Sequence, residues 1–309
     1  MLDTARMVRK AKIEDRVFHA LGIACAAIVL GVLAALLAQL AISGLARIDW
    51  QFLTSFPSRF PAKAGILSPL VGSFLIMFVT AITAIPLGVA AGVYLEEYGR
   101  KNWLANLIEI NITNLAGVPS IVYGLMALGL FVYAFKFDRS ILSAGLTLAF
   151  LILPIVIVAT RESLRAIPQS MREAAYALGA SRWQVIRHHL LPYSAGGVST
   201  GVIIGVSRAI GETAPLVTIG ALTYIAFLPP HPFQAIEDSG IVVRHAGAFE
   251  WIWSPYTVLP IQMFNWVSRP GDKFVHEAAA TGLVLMVVTL TLNGAAIAVR
   301  YRIRRRIKW

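Results

Sequence analysis

Six apolar runs, at about 17–45, 68–95, 104–134, 141–160, 193–221 and 274–299, dominate this 309-residue chain. Each is near or above the roughly 20 residues that a helix needs to cross a hydrocarbon layer. Inside lipid a backbone must satisfy its own polar groups, so runs of this length fold as spanning helices. The reading is an all-α integral membrane protein with six transmembrane helices. Hydrophobic residues make up 57% of the chain and charged ones 14%, against about 25% charged in soluble domains. The first run exceeds the roughly 7–15 apolar residues of a signal-peptide core, so it is expected to stay as an anchor.

Orientation follows from the basic residues. Five Lys/Arg lie before Val17, two at Arg100 and Lys101, five in 161–192 and six after Val299, whereas the alternate loops hold three, two and three. The positive-inside rule then places both termini in the cytoplasm. The net charge of +11 is thus explained by topology and does not point to a nucleic-acid partner. Cys25 is the single cysteine and sits in the first run, so neither a disulfide framework nor a cysteine metal site forms within one chain. We expect one membrane domain over 1–309. It divides into an N-terminal anchor helix and external loop (1–67), a membrane core (68–299) and a basic cytoplasmic tail (300–309). The core carries two long connections, a cytoplasmic one at 161–192 and an external one at 222–273.

Arg208 and Glu212 lie one helical turn apart in the fifth apolar run. An ionised side chain at the bilayer centre costs roughly 2.5–3.5 kcal/mol on insertion scales, so it usually faces a partner helix or an aqueous route. A 3.6-residue period gathers Gly197, Gly201, Gly205, Arg208, Glu212 and Pro215 into a sector of roughly 80°. The charges are therefore expected on a closely packed, inward side. Two readings stay open. The pair neutralises itself inside the bundle, or Arg208 offers forked donors to a passing oxyanion while Glu212 holds it and tunes its field. Prolines 86, 119, 154 and 215 fall in four successive runs and can bend them. Pro119, with Asn114, Gly117 and Ser120 nearby, is the position where freed carbonyls could meet substrate or water.

Several chemistries fail on pattern. No GxxxxGK[ST] occurs, so the chain has no P-loop for nucleotide phosphates. The GxSxG match from Gly197 to Gly201 lies within a span, and His276-Glu277 lacks the second histidine of HExxH. His188 and His189 project about 100° apart on a helix and share no metal site. No catalytic, cofactor-binding or metal-ligating residue is assigned.

The cytoplasmic connection reads SMREAAYALGASRWQVIRHHLLP. A helical run over 172–178 ends at Gly179, Ser181 caps a second helix, and Pro192 leads into the next span. Trp183, Ile186 and Leu190 share a face and are expected to pack, with Arg182 and Arg187 outside. The positive-inside rule alone would account for the arginines. Glu173-Ala174-Ala175, three residues, Gly179 and then Leu191-Pro192 resemble the EAA loop of ABC-importer permeases, although His189 stands where that family usually has an aliphatic residue. The resemblance implies a coupling helix seated on a cytoplasmic ATPase subunit. Glu173, Ala174, Ala175, Gly179, Ala180 and Ser181 would receive its motion.

Three further stretches, NLAGVPSIVYG from Asn114, SRAIGE from Ser207 and LPIQMFNWVSRP from Leu259, resemble the PstA-like permeases of bacterial phosphate-specific (Pst) ABC importers. The likeness covers nearly the whole chain. It implies a type I ABC importer permease fold, a bacterial inner-membrane location and inward passage of inorganic phosphate. It also implies a second related permease subunit, two copies of an ATPase subunit holding ATP and Mg, and a periplasmic phosphate-binding protein. A role in phosphate passage carries over to Arg208 and Glu212, and Asn114, Pro119 and Ser120 complete the candidate pathway. Sulfate or molybdate stays open as the oxyanion, since arginine recognition does not separate them. An ion-coupled secondary transporter acting alone is the alternative of a different class. The external connection, with Pro229, Pro230, Pro232, Pro255, Trp251, Trp253 and Trp266, reads either as an aromatic belt or as a cap that docks a binding protein or closes an outer gate.

Overall fold

The computed structural model describes residues 2–99, 103–238, 241–270 and 272–305. Arg100, Lys101 and the end of the basic tail at 306–309 lie outside them. Among the described residues, five helices are long and apolar enough to cross a membrane, and a bent pair supplies a sixth crossing. The chain runs through α1 (Leu2–Gly44), α2 (Trp50–Thr54) and α3 (Leu67–Val93), which a π-helical turn, Tyr94–Tyr98, extends. It continues through α4 (Trp103–Leu115), α5 (Ser120–Ala127, prolonged by a π-helical segment to Ala134) and α6 (Ile141–Arg165). Then come α7 (Gln169–Ala177), α8 (Arg182–Val185), α9 (Leu191–Ile210) and α10 (Ala214–Ile219). The hairpin β1 (Ala235–Asp238) and β2 (Ile241–His245), α11 (Leu259–Val267) and α12 (Asp272–Arg305) complete it. That hairpin, in the external connection, is a small departure from an all-helical chain.

Two of the six runs are not the continuous helices that their apolarity predicts. In the third, Leu107–Leu115 and Ser120–Ala134 meet at 105°. Pro119 has no N–H to give and pushes Val118 away from helical dihedrals, so the helix stops and restarts. The fifth run breaks at 211–213, between the end of α9 and the start of α10, with Pro215 in the first turn of α10. Proline is tolerated there because first-turn N–H groups have no intrahelical partner. Pro192 leads into the fifth span, as its position in the sequence suggested. It interrupts nothing, since α8 runs into α9 through the π-helical turn Ile186–Leu190.

Small residues let the central helices close on one another. A Cβ on Gly88 would lie 2.7 Å from Val156, and one on Gly92 would lie 2.6 Å from Thr160, so α3 and α6 meet almost backbone to backbone. Gly201 and Gly205 are buried and face Ala159 and Ile152 of α6. Ile76, Leu148, Ile152, Ala209 and Leu216 form the core where α3, α6, α9 and α10 converge. A second cluster at the external end joins Phe52 and Ile66 to Trp266 of α11 and Ala280 of α12.

Helix α1 is bare along most of its length and packs on α12 at its external end, where Gly44 would place a Cβ 2.7 Å from the Ala279 backbone. Arg47 fixes that corner. Its Nε donates to Glu277 at 2.6 Å and its Nη2 to the Ala64 carbonyl at 2.8 Å, with the Glu277 side chain only 4% exposed. Removing one member of a buried ion pair strands the other, which costs about 3–5 kcal/mol. Glu277→Ala is therefore expected to lower the thermal unfolding midpoint of the detergent-solubilised protein clearly, and an unchanged midpoint would show that Arg47 is not held by this contact.

Candidate functional site

Arg208 stands two residues before the end of α9, and Glu212 lies in the break that follows. The helical sector imagined from the sequence thus includes its glycines and Arg208 but not Glu212 and Pro215. The two charges still meet, with Arg208 Nε donating to Glu212 Oε1 at 3.3 Å. The Arg208 side chain is 38% exposed and Glu212 17%. The packed side of α9 therefore belongs to Gly201 and Gly205, while the guanidinium stays at the surface of this chain. Dehydrating a guanidinium without full hydrogen bonding is expensive, which is why it does not share the glycines' dry seam.

The other pathway candidates gather at the second break. Asn114 and Pro119 are exposed and Ser120 is half-buried, all at the 116–119 bend between α4 and α5. The bend and the α9–α10 break lie along one seam. A Cβ on Gly124 of α5 would sit 2.7 Å from the Pro215 Cα of α10. Tyr123 is buried in the same cluster as Ala209, Ile210 and Leu216, and its hydroxyl donates to the Leu115 carbonyl at 2.7 Å, which also accepts the Val118 N–H at 3.1 Å. The Arg208 hydrogen bond goes to Glu212 and not to Asn114, Pro119 or Ser120. Sequence reasoning missed Asn293. Its amide meets the Ser207 hydroxyl at 2.6 Å, tying α12 to α9 one residue from Arg208. A lone asparagine in the last apolar run was the available signal.

The 161–192 connection folds as a helix-turn-helix. Gly179 has φ +83, its N–H donates to the Tyr176 carbonyl at 2.9 Å, and the N–H of Ala180 reaches the Ala175 carbonyl at 3.1 Å, which together close the end of α7. Ser181 accepts from the Gln184 N–H while Gln184 Oε1 takes the Ser181 N–H at 2.7 Å, a reciprocal cap on α8. Glu173 and Ala174 are exposed and Ala175 is buried. Trp183 corrects the expected packed face, because it is 55% exposed while Val185, Ile186 and Leu190 are fully buried. The π-helical turn from Ile186 to Leu190 explains this, since a wider turn brings residues five apart onto one side and substitutes Val185 for Trp183. Ile186 also supplies the apolar contact that His189, which is exposed, does not. Leu178 is 89% exposed, so Leu178 and Trp183 form apolar prominences at the cytoplasmic tip.

Beneath this tip lies a charged network that the sequence reading counted only as loop positive charge. Arg161 pairs with Glu109 at 2.9 Å and with Glu96 at 3.6 Å, and Arg165 pairs with Glu96 at 3.1 Å and Glu109 at 3.6 Å. Arg172 of α7 reaches Glu97 at 2.8 Å and also donates to the Leu164 and Ile167 carbonyls, each at 2.9 Å. Three helices and the connection are thereby tied at their cytoplasmic ends. Adjacent glutamates at the close of one apolar run, and Glu109 inside the next, were the visible signs.

Comparison with known proteins places this geometry. Residues 84–309 match the family described as the inner membrane component of binding-protein-dependent transport systems. A probable ABC transporter permease, YqgI of Bacillus subtilis, is 32% identical over 92% of this chain and 94% of its own length. The phosphate transport system permease protein PstA of Yersinia pestis is 37% identical over 80% of this chain and 77% of its own. Among solved structures, a bacterial alginate ABC transporter in complex with an alginate-bound periplasmic protein aligns with a TM-score of 0.65, covering 94% of this chain and 96% of that one at 12% identity.

Nothing lies within 4 Å of a Cβ built on Gly179, so its positive φ alone requires glycine. Gly179→Ala is expected to strain the turn by about 1–2 kcal/mol and to speed backbone hydrogen exchange across 169–185 while leaving exchange in α6 as it was. Unchanged exchange in α7 and α8 would refute the strained turn.

Proposed function

From a chain that belongs to the inner membrane components of binding-protein-dependent transport systems, and so is an ABC importer permease with the type I fold, we infer a subunit that carries inorganic phosphate into the cytoplasm. The observation that carries this reading is the Arg208–Glu212 pair at the break between α9 and α10. The relative from Yersinia pestis, a phosphate transport permease, supports the choice of anion.

The geometry suits an anion that must be held and then released. Arg208 uses one of its five N–H groups, Nε, on Glu212 at 3.3 Å, which leaves the forked terminal donors for the paired oxygens of a tetrahedral oxyanion. With a single hydrogen bond at 3.3 Å and the Arg208 side chain 38% exposed, the pair is worth at most about 1 kcal/mol, so an anionic substrate can displace Glu212. Glu212 in turn keeps the guanidinium from holding a doubly charged anion too tightly. Asn114, Pro119 and Ser120 stand across the shared seam at the 116–119 bend, where an interrupted backbone is tolerated because it borders protein or a wetted route. The prominences at Leu178 and Trp183, flanked by Glu173, Ala174, Ala175, Gly179, Ala180 and Ser181, are the surface that a partner ATPase, holding the ATP and Mg, would grip. A second permease subunit would face Arg208 and complete the conduit, and a periplasmic phosphate-binding protein would deliver substrate to the external connection.

Reconstitution with the partner subunits tests this directly. Arg208→Gln is expected to cut phosphate uptake at least about tenfold, equivalent to 1.4 kcal/mol, with the complex still assembled. Wild-type uptake in that variant would remove Arg208 from the route. Uptake of sulfate or molybdate in place of phosphate by the unaltered complex would change the substrate, and uptake by this chain alone in vesicles would overturn the ATP-driven reading.

A further inference from the structure

We propose that Arg172 and Glu97 form the rigid joint through which the cytoplasmic connection drives α3 and α6 together, and that this pair sets how much substrate moves per ATP hydrolysed. The inference rests on the ABC permease reading and adds to it two positioning residues outside both the candidate pathway and the EAA resemblance.

Directional bonding is the first argument. Arg172 Nε and Nη2 lie 3.2 and 2.8 Å from the same Glu97 oxygen, Nη1 donates to the Ile167 carbonyl, and Nη2 also reaches the Leu164 carbonyl. Leu164 belongs to the last turn of α6, where a cation is favoured, and its carbonyl also takes the Ile167 N–H at 3.2 Å. One side chain on α7 therefore grips the end of α6 through its backbone and the end of α3 through a carboxylate. The connection is also attached by the apolar cluster of Val93, Leu164, Ile167, Ala175, Val185, Ile186 and Leu190, and by Arg182, whose guanidinium lies 5.4 Å from the centre of the Tyr98 ring. Apolar packing is non-directional and permits sliding, whereas a forked guanidinium fixes position and angle.

Burial is the second. The Arg172 side chain is 14% exposed and Glu97 7%, against 38% for Arg208. The π-helical turn Tyr94–Tyr98 makes this possible by sending consecutive carboxylates to different partners, Glu96 to Arg165 and Glu97 to Arg172. Through Glu96 and Glu109 the joint continues to Arg161, Arg165 and α4, the helix that leads to the 116–119 bend. The four side chains Glu96, Glu97, Arg165 and Arg172 line one polar, half-open pocket of about 650 Å³.

The test uses the whole complex in proteoliposomes and measures phosphate imported per ATP hydrolysed. Arg172→Gln and Glu97→Gln are each expected to lower that ratio about fivefold or more while ATP hydrolysis stays stimulated by the loaded binding protein. Because residues acting as one unit are non-additive, the double variant should be no worse than the worse single variant. Arg172→Lys and Glu97→Asp keep the charge and guard against loss of assembly, and they should give intermediate ratios. An unchanged ratio in both charge-keeping variants overturns the proposal. So do additive losses in the double variant, or uptake and hydrolysis that fall together at a constant ratio. If the unaltered complex moves another oxyanion, the substrate reading fails, and the same ratio measured with that anion still decides the joint.

Discussion

Backbone hydrogen bonding in a medium without water is the constraint on which the whole arrangement depends. A helix satisfies it along its length, so each departure from helix has to be repaired locally. At 116–119 the Gly117 and Val118 N–H groups turn back to the Asn114 and Leu115 carbonyls at 3.0 and 3.1 Å, and at 211–213 the Glu212 N–H turns back to the Ala209 carbonyl at 3.3 Å. The Tyr123 hydroxyl takes the Leu115 carbonyl at 2.7 Å, and the Tyr256 hydroxyl, from the external connection, takes the Leu216 carbonyl at 3.2 Å. Both tyrosines are buried, and burial pushes the Tyr256 phenol well above its ordinary range, so it stays a neutral donor. With the α5–α10 contact at Gly124 and Pro215, these bonds place two interrupted helices side by side. Arg208 and Glu212 sit at that seam, where a helix end meets an open surface.

Two arginine–glutamate pairs differ sharply in burial and bonding. Arg208 gives Glu212 one bond at 3.3 Å and stays 38% exposed, a pairing weak enough to yield to another anion. Arg172 is nearly dry and makes four donor contacts, two of them to one Glu97 oxygen. Chemically identical groups thus suit opposite tasks. The same contrast runs along α9, where Gly201 and Gly205 press against α6 while Arg208, on the same helix, faces outward.

Much of this was legible in the chain. Apolar run length revealed the crossings, the Lys/Arg asymmetry oriented them, and Gly179 and Ser181 marked the end of one short helix and the start of the next. Those signals are local or compositional, so neighbours in space do not alter them. The misreadings share a cause. Trp183 sits on the α-helical face of Ile186 and Leu190, yet a π-helical turn, which no periodicity announces, exchanges it for Val185. Glu212 and Pro215 fit the glycine sector only if α9 continues, and it stops at Ile210.

The sequence by itself determined a six-crossing membrane protein with a cytoplasmic helix-turn-helix, because hydrophobic length, charge asymmetry and turn chemistry act within a few residues of one another. Only the tertiary structure decided which charges are joined. Glu97 and Arg172 are 75 positions apart, and Glu96 and Arg165 are 69. Their pairing exists because three helix ends converge at one membrane face, a distance relation that no window along the chain contains.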